Sequence, residues 1–298
     1  PIKRCEKHRS RPLGIFRKDN GKDGRGGGRI EPIEKREMRS FRVEEGREGG
    51  AKDGDLVRFD AGPATRSGFM TATIAEVLGN PSDQRQISLI AIHTHGIPEH
   101  FSERALGELT DLPRLSQKDH ADWRDLPLVT IDPVDARDHD DAVHAAPDAD
   151  PANPGGWVAT VAIADVAFYV RPGTALDREA KVRGNSVYFP DRVVPMLPEK
   201  ISNDLCSLRE LEDRPALAVR MIFDAQGHKR RHTFHRVLMR SAAKLNYQEA
   251  QAAIDGNPSE KAAPLLDPVL KPLWACYACL SQAREKRGPL DLDLPERK

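Results

Sequence analysis

Five aspartates fall within ten positions of TIDPVDARDHDDAV (130–143): Asp132, Asp135, Asp138, Asp140 and Asp141. Like charges packed this closely raise one another's pKa values and destabilise a fold unless cations offset them. Hard cations such as Mg²⁺ take carboxylate oxygens and keep positions free for a substrate phosphate. Two such ions about 3.5–4 Å apart activate a water and stabilise the leaving oxygen in phosphodiester hydrolysis. An EF-hand calcium loop does not fit. No start at Asp132, Asp135 or Asp138 gives acidic ligands at the first, third and fifth places with Gly at the sixth. A polar turn is the plainer reading, since Asp and Pro are common turn residues, but a turn needs one or two aspartates. Metal-assisted phosphoryl chemistry and a polar turn therefore stand side by side at the level of residues alone.

The surrounding pattern says how the carboxylates would be delivered. LPLVTID (126–132), DDAVHAA (140–146) and GWVATVAIAD (156–165) read as three strands joined by turn material, short enough for antiparallel pairing. The first carries Asp132 to its tip and the second starts at Asp140. TALDREAKVRG (174–184) reads as a helix with Thr174 at its N-cap and Gly184 closing it. RPALAVRMIFDAQGHKRRHTFHRVLMR (214–240) gives a hairpin turning at Asp224–Gly227. Helices follow over 246–256 and about 266–286, the latter with Leu270, Leu273, Tyr277 and Leu280 on one face. Upstream, MRSFRVEE, GDLVRFD, MTATIAEVLG and QISLIAIHTHG suggest strands of a small antiparallel barrel or sandwich over 38–95. Residues 95–113 look like a connector with one short helix. The first 30 residues, with GKDGRGGGR (21–29), read as a basic loop or flexible arm.

Length and charge bound the class. The 298 residues leave room for two domains. Lys+Arg and Asp+Glu are 46 each, which excludes a uniformly basic packaging protein and an acidic solvating tail. The balance hides local excesses: residues 1–30 hold ten Lys/Arg against three acids, residues 124–150 eight Asp against two Arg, and residues 228–240 five Lys/Arg and no acid. Basic stretches flanking an acidic one suit a polyanion held beside a cation-concentrating site. No apolar run approaches the roughly 18 residues of a membrane span, so no membrane partner is expected. Four cysteines are too few for a disulfide-stapled scaffold, and a reducing cytoplasm is the default location. Cys276 and Cys279 form a lone CxxC without further ligands and read as buried helix cysteines rather than zinc ligands. His93 and His95 read as structural residues at a strand end.

The aspartate run, followed by VAIADVAFYV (161–170), RGNSVYFPDRVVPMLPEKISNDLCSLR (183–209) and SAAKLNYQEAQ (241–251), resembles the catalytic (RNB) domain of the ribonuclease II/ribonuclease R family. Upstream, KDGDLV (52–57) and ISLIAIHTHGIPEHF (87–101) are more similar to the ribonuclease R branch. The resemblance implies an α+β chain: an N-terminal cold-shock/OB-like β-barrel region followed by the N-terminal part of a mixed α/β RNB domain. The parts would be an arm or partial domain over 1–30, the barrel region over 31–110, a linker over 111–123 and the RNB part over 124–298.

It also implies 3′→5′ hydrolysis of single-stranded RNA to nucleoside 5′-monophosphates with Mg²⁺, or Mn²⁺ in its place. The chain would act as a monomer without an obligate protein partner. The family's metal-centre aspartates fall on Asp132, Asp138, Asp140 and Asp141, with Asp140 and Asp138 closest to the chemical step. Its RNA-stacking aromatic falls on Tyr188. Asp135 is extra and reads as a turn residue. His139 stands where the family usually carries an apolar residue, a departure that is tolerable if the side chain points away from the metals. Arg183, Arg192 and Arg209 lie in the same patterned stretch, as phosphate contacts or as surface ion pairs. The family pattern continues beyond GPLDLDLPERK, so the chain reads as a piece missing both ends, with weak hydrolysis on its own. The alternatives are an RNA-binding protein that keeps the fold without the chemistry and a calcium-stabilised structural domain.

Overall fold

The computed structural model describes residues 11–19, 27–33, 39–65, 69–116 and 120–290. The chain divides into two compact units, one made of residues 1–101 with 183–196, the other of 102–182 with 197–298.

In the first unit, β1 (Leu13–Lys18), β2 (Gly27–Pro32), β3 (Phe41–Glu44), β4 (Leu56–Ala64) and β5 (Met70–Gly79) close into a barrel in the order β1-β2-β3-β5-β4. Alternation sends Phe16, Ile30, Val43, Val57 and Phe59 inward, all fully buried. Each such side chain contributes roughly 1.5–3 kcal/mol relative to exposure. All pairings are antiparallel except β3 with β5, which is parallel.

Two readings of this region are overturned. The flexible-arm reading of residues 1–30 fails where the structure describes them, because β1 and β2 are barrel staves; residues 1–10 and 20–26 of that reading lie outside the described residues. Gly14 and Gly28 serve close approach: a Cβ on Gly14 would sit 2.2 Å from the Ile30 side chain and one on Gly28 2.6 Å from the Phe16 ring. QISLIAIHTHG is not a strand but most of helix α1 (Gln84–Thr94). Ser88, Leu89 and Ile92 form its buried stripe, and Gly96 at φ 63° closes it as Ile97 N–H donates to the Ile92 carbonyl at 2.9 Å. A short apolar run rich in isoleucine fits either period. His93, in the last turn of α1, takes a structural contact, with Leu13 N–H 3.4 Å from its Nε2.

The second unit begins with α2 (Glu103–Glu108), capped by Ser102, which accepts from Ala105 N–H at 3.2 Å. Then come β6 (Ala121–Asp122), β7 (Val129–Asp132), β8 (Asp141–Pro147), β9 (Trp157–Ala164), the turn α3 (Val166–Tyr169) and α4 (Ala175–Arg183). The Glu108 carboxylate accepts from the Ala175 and Leu176 N–H groups that open α4, at 2.7 and 2.9 Å. The small hairpin β10 (Val187–Tyr188) and β11 (Val193–Val194) belongs to the first unit. A π-helical stretch (Lys200–Leu205), β12 (Asp213–Phe223), β13 (Lys229–Arg240), β14 (Ala243–Asn246), α5 (Tyr247–Ile254), α6 (Ala263–Leu265), a second π-helical stretch (Leu266–Leu270) and α7 (Lys271–Lys286) follow among the described residues.

The seven-stranded sheet runs β14-β7-β8-β9-β12-β13-β6, with β14/β7 and β13/β6 parallel and the rest antiparallel. One face packs Ala142, Ala162, Ala216, Ala218, Val237 and Met239 with Leu128, Ile201 and Leu208. Small residues on the central strands let the first π-helical stretch lie close. On the expected apolar face of the last helix, Leu270 is fully buried and Leu273 and Leu280 half-buried, but Tyr277 is 63% exposed; Cys276 and Ala283 are buried instead. Cys279 Sγ sits 3.5 Å from the Ala225 carbonyl in the β12–β13 turn. Cys206, Cys276 and Cys279 are free thiols. Among the described residues no helix is long and apolar enough to cross a membrane.

Candidate active site

Pro133 has no N–H for the sheet ladder, so β7 stops at Asp132. Its successor is a turn in which Ala136 N–H donates to the Pro133 carbonyl at 3.1 Å, with Asp135 inside it. The chain re-enters the sheet at Asp141, which pairs with Ile163, and the Asp140 carbonyl accepts from Ala164 N–H at 2.9 Å. Between these points, His139 N–H donates to Ser207 Oγ (3.2 Å) and the His139 carbonyl accepts from Leu208 N–H (2.8 Å). The loop holding Asp138, Asp140 and Asp141 is therefore tied on one side to β9 and on the other to the Ser207 hydroxyl and the Leu208 N–H.

The four aspartates are electrostatically one group. Burial, then the charges of Asp138, Asp141 and Asp132, push the Asp140 carboxyl above the usual carboxylate range, with His139 acting in opposition. Burial and the Asp132 charge do the same to Asp141. Nearby, burial and the Asp140 and Asp165 charges push the Cys206 thiol up to about 12, so it stands there as a neutral wall and not as a nucleophile.

The condition set for His139 is not met. His139 is 3% exposed and its Nδ1 lies 2.9 Å from Asp132 Oδ2, so it faces the acidic group instead of turning away. The main-chain bonds on both sides of His139 leave its ring facing inward, where an imidazole needs a polar partner.

Among the described residues, no group of three or more His, Cys, Asp or Glu side chains is already drawn into a metal-ready cluster. The donor set nevertheless fits a hard divalent cation: four carboxylates on adjoining strand ends, with no thiolate among them and two pushed toward protonation by their own repulsion.

Tyr188 lies apart from this group in the division of the chain. It sits on the β10–β11 hairpin, in the other compact unit, and is 72% exposed. Of the three arginines in that patterned stretch, Arg192 pairs with Asp191 (2.9 Å) and Arg209 with Asp204 (3.0 Å), as surface ion pairs. Arg183 instead donates to three main-chain carbonyls, a role with no signature in its surroundings. On the basic strand β13, Arg230, Arg236 and Arg240 bond within the unit, to Asn153, Asp165 and Asp213.

A closed barrel followed by a mixed sheet whose strand tips gather four aspartates defines a two-part architecture, cold-shock barrel and acidic α+β domain. The RNB domain family matches residues 120–298 and the cold shock domain family residues 30–102. The chain belongs to the RNB domain family. It is 40% identical over 256 residues to ribonuclease R of Vibrio parahaemolyticus, covering 84% of this chain and 30% of that protein. To ribonuclease R of Escherichia coli it is 40% identical over 240 residues, 78% of this chain and 29% of the relative. The chain thus spans about a third of the length of these curated relatives. Among solved structures, Mycoplasma genitalium RNase R in complex with ribose methylated single-stranded RNA superposes with a TM-score of 0.80. Its identity is 25%, over 97% of this chain and 45% of that one.

Proposed function

We propose that the protein is a 3′→5′ exoribonuclease that hydrolyses single-stranded RNA to nucleoside 5′-monophosphates with Mg²⁺, or Mn²⁺ in its place. The observation that carries this reading is the coupled aspartate group, set at strand ends in a member of the RNB domain family. A divalent cation bound there supplies neutralisation of the phosphodiester oxygens and activation of a water.

In this reading Asp132 and Asp141 chiefly hold the cation, while Asp138 and Asp140 complete the acidic centre and Asp140 orients the attacking water. Asp140, partly buried and raised, is suited to hold a proton at its carboxyl oxygen when no cation is present. Tyr188 offers an exposed ring to a base near the 3′ end, a sequence-tolerant contact worth about 1–3 kcal/mol. The barrel guides single strands, and the free thiols accord with a reducing cytoplasm. The protein acts as a monomer on RNA, without membrane or obligate protein partner.

The test gives 5′-labelled single-stranded RNA with Mg²⁺ to the protein in the longest form its gene encodes, beside Asp140→Asn. Stepwise shortening from the 3′ end that the substitution abolishes is the expected result. Undiminished cleavage by Asp140→Asn contradicts the assignment. Binding without shortening by the unaltered protein assigns an RNA-binding role instead.

A further inference from the structure

The hairpin that carries Tyr188 cannot orient it alone. β10 and β11 contribute two residues each, paired Val187 with Val194 and Tyr188 with Val193, and isolated two-stranded hairpins are marginal at best. The turn adds one bond, from Phe189 N–H to the Arg192 carbonyl at 2.8 Å. An aromatic side chain this exposed, on so short a ladder, takes its direction from whatever the hairpin is fastened to.

Two fastenings are present, one at each end. At the base, the Arg183 guanidinium donates to the Pro98 carbonyl (2.7 Å), the His100 carbonyl (2.8 Å) and the Pro195 carbonyl (3.2 Å). Its Cζ lies 3.7 Å from the centroid of the Phe101 ring. One planar fork thus joins the segment entering the hairpin, the segment leaving it and the 98–101 backbone, a geometry that Lys cannot reproduce. Met196 N–H donating to Ser186 Oγ at 3.0 Å closes the same base. At the tip, the Asp191 carboxylate accepts from the buried Ser88 hydroxyl of α1 and from Arg192 Nε. These bonds hold the Asp191 carboxyl below the usual carboxylate range, the Ser88 bond foremost.

We infer that Arg183 and the Asp191–Ser88 pair are positioning residues for Tyr188, mounting the RNA-stacking ring on the barrel-bearing unit. The inference rests on the stacking role given to Tyr188 above. Both Nη groups of Arg183 donate to main-chain carbonyls, and in this reading it acts on RNA only through the direction in which the hairpin presents the ring. Grip on the RNA end is then set by the unit that holds the barrel, although the hairpin falls in sequence between elements of the other.

The test is a double-mutant cycle in the 298-residue chain with EDTA present, so that RNA binds without being cut. The probe is an oligouridylate carrying 2-aminopurine at its 3′ end, read by anisotropy for affinity and by quenching for stacking. Tyr188→Ala is expected to weaken binding about 5- to 150-fold and to abolish quenching. Arg183→Lys is expected to weaken binding at least fivefold when Tyr188 is present and less than twofold in the Tyr188→Ala background, with a cooperative thermal transition retained. Ser88→Ala, acting at the far end of the hairpin, is expected to show the same non-additivity and carries the test if Arg183→Lys fails to fold. Equal losses in both backgrounds overturn the inference, because they mean contact with phosphate or general damage to the fold. No loss in either background also overturns it. Unchanged affinity and quenching in Tyr188→Ala alone removes the stacking role, and the inference with it.

Discussion

Removing the repulsion around Asp140 with a cation is expected to stabilise the unit that contains it. Its carboxyl is raised by burial and by three neighbouring carboxylates, so the metal-free fold carries a strain that a bound cation relieves. Binding at one hundred times the dissociation constant stabilises the native state by about 2.7 kcal/mol. The unit spans residues 102–182 and 197–298, and for 150–250 residues each kcal/mol moves the midpoint by about 2–4 °C. Saturating Mg²⁺ is therefore expected to raise Tm by about 5–11 °C. All three tryptophans, Trp123, Trp157 and Trp274, lie in this unit, so intrinsic fluorescence reports its unfolding selectively. The assay is a fluorescence melt of EDTA-stripped protein titrated with MgCl₂ against NaCl of equal ionic strength, which controls for screening. Asp140→Asn is expected to melt no lower than the unaltered chain without metal and to lose at least half of the Mg²⁺-induced rise. No rise beyond the NaCl control, or the same rise in Asp140→Asn, refutes the reasoning.

Three further outcomes follow from the same geometry. Because Asp140 and Asp141 are raised in the fold, the native state binds more protons than the unfolded chain just above the ordinary carboxylate range. Their contribution to metal-free stability thus falls as pH rises through that window, and urea denaturation from pH 4 to 7 is expected to show the advantage of Asp140→Asn growing with pH. His139→Leu removes the 2.9 Å bond to Asp132 and is expected to cost about 1.5–3 kcal/mol by urea denaturation, His139→Asn less than half as much, since its amide nitrogen falls near the Nδ1 position. Gly28→Ala puts a Cβ 2.4 Å from the Arg17 carbonyl and 2.6 Å from the Phe16 ring, and is expected to cost about 1–3 kcal/mol, read as lost hydrogen-exchange protection in β1 and β2.

The aspartates were legible because their spacing brackets a turn between a strand end and a strand start, and a proline fixes where the first strand stops. The hairpin, α4 and α5 were legible for similar local reasons, and the structure adds that α5 opens on an Asn246–Glu249 capping box. What was not legible depends on partners remote in sequence. Gly28 looks like a flexible residue until Phe16 is seen lying against it, and QISLIAIHTHG looks like a strand until its buried stripe is seen at helical spacing. His139 gave no sign of its bond to Asp132, which depends on Ser207 and Leu208 tying down its backbone. Arg183 read as a surface ion pair or a phosphate contact, because the carbonyls that engage it come from residues 98, 100 and 195, the first two remote from its own stretch of sequence.

If Asp132, Asp138, Asp140 and Asp141 form a divalent-metal centre, anomalous scattering from Mn²⁺-soaked crystals locates the ion among them. A manganese peak is expected within coordinating distance of at least two of these carboxylates, weakened or lost in Asp140→Asn. A fully soaked crystal with no peak there, or with its manganese bound only elsewhere, would contradict the metal-centre assignment.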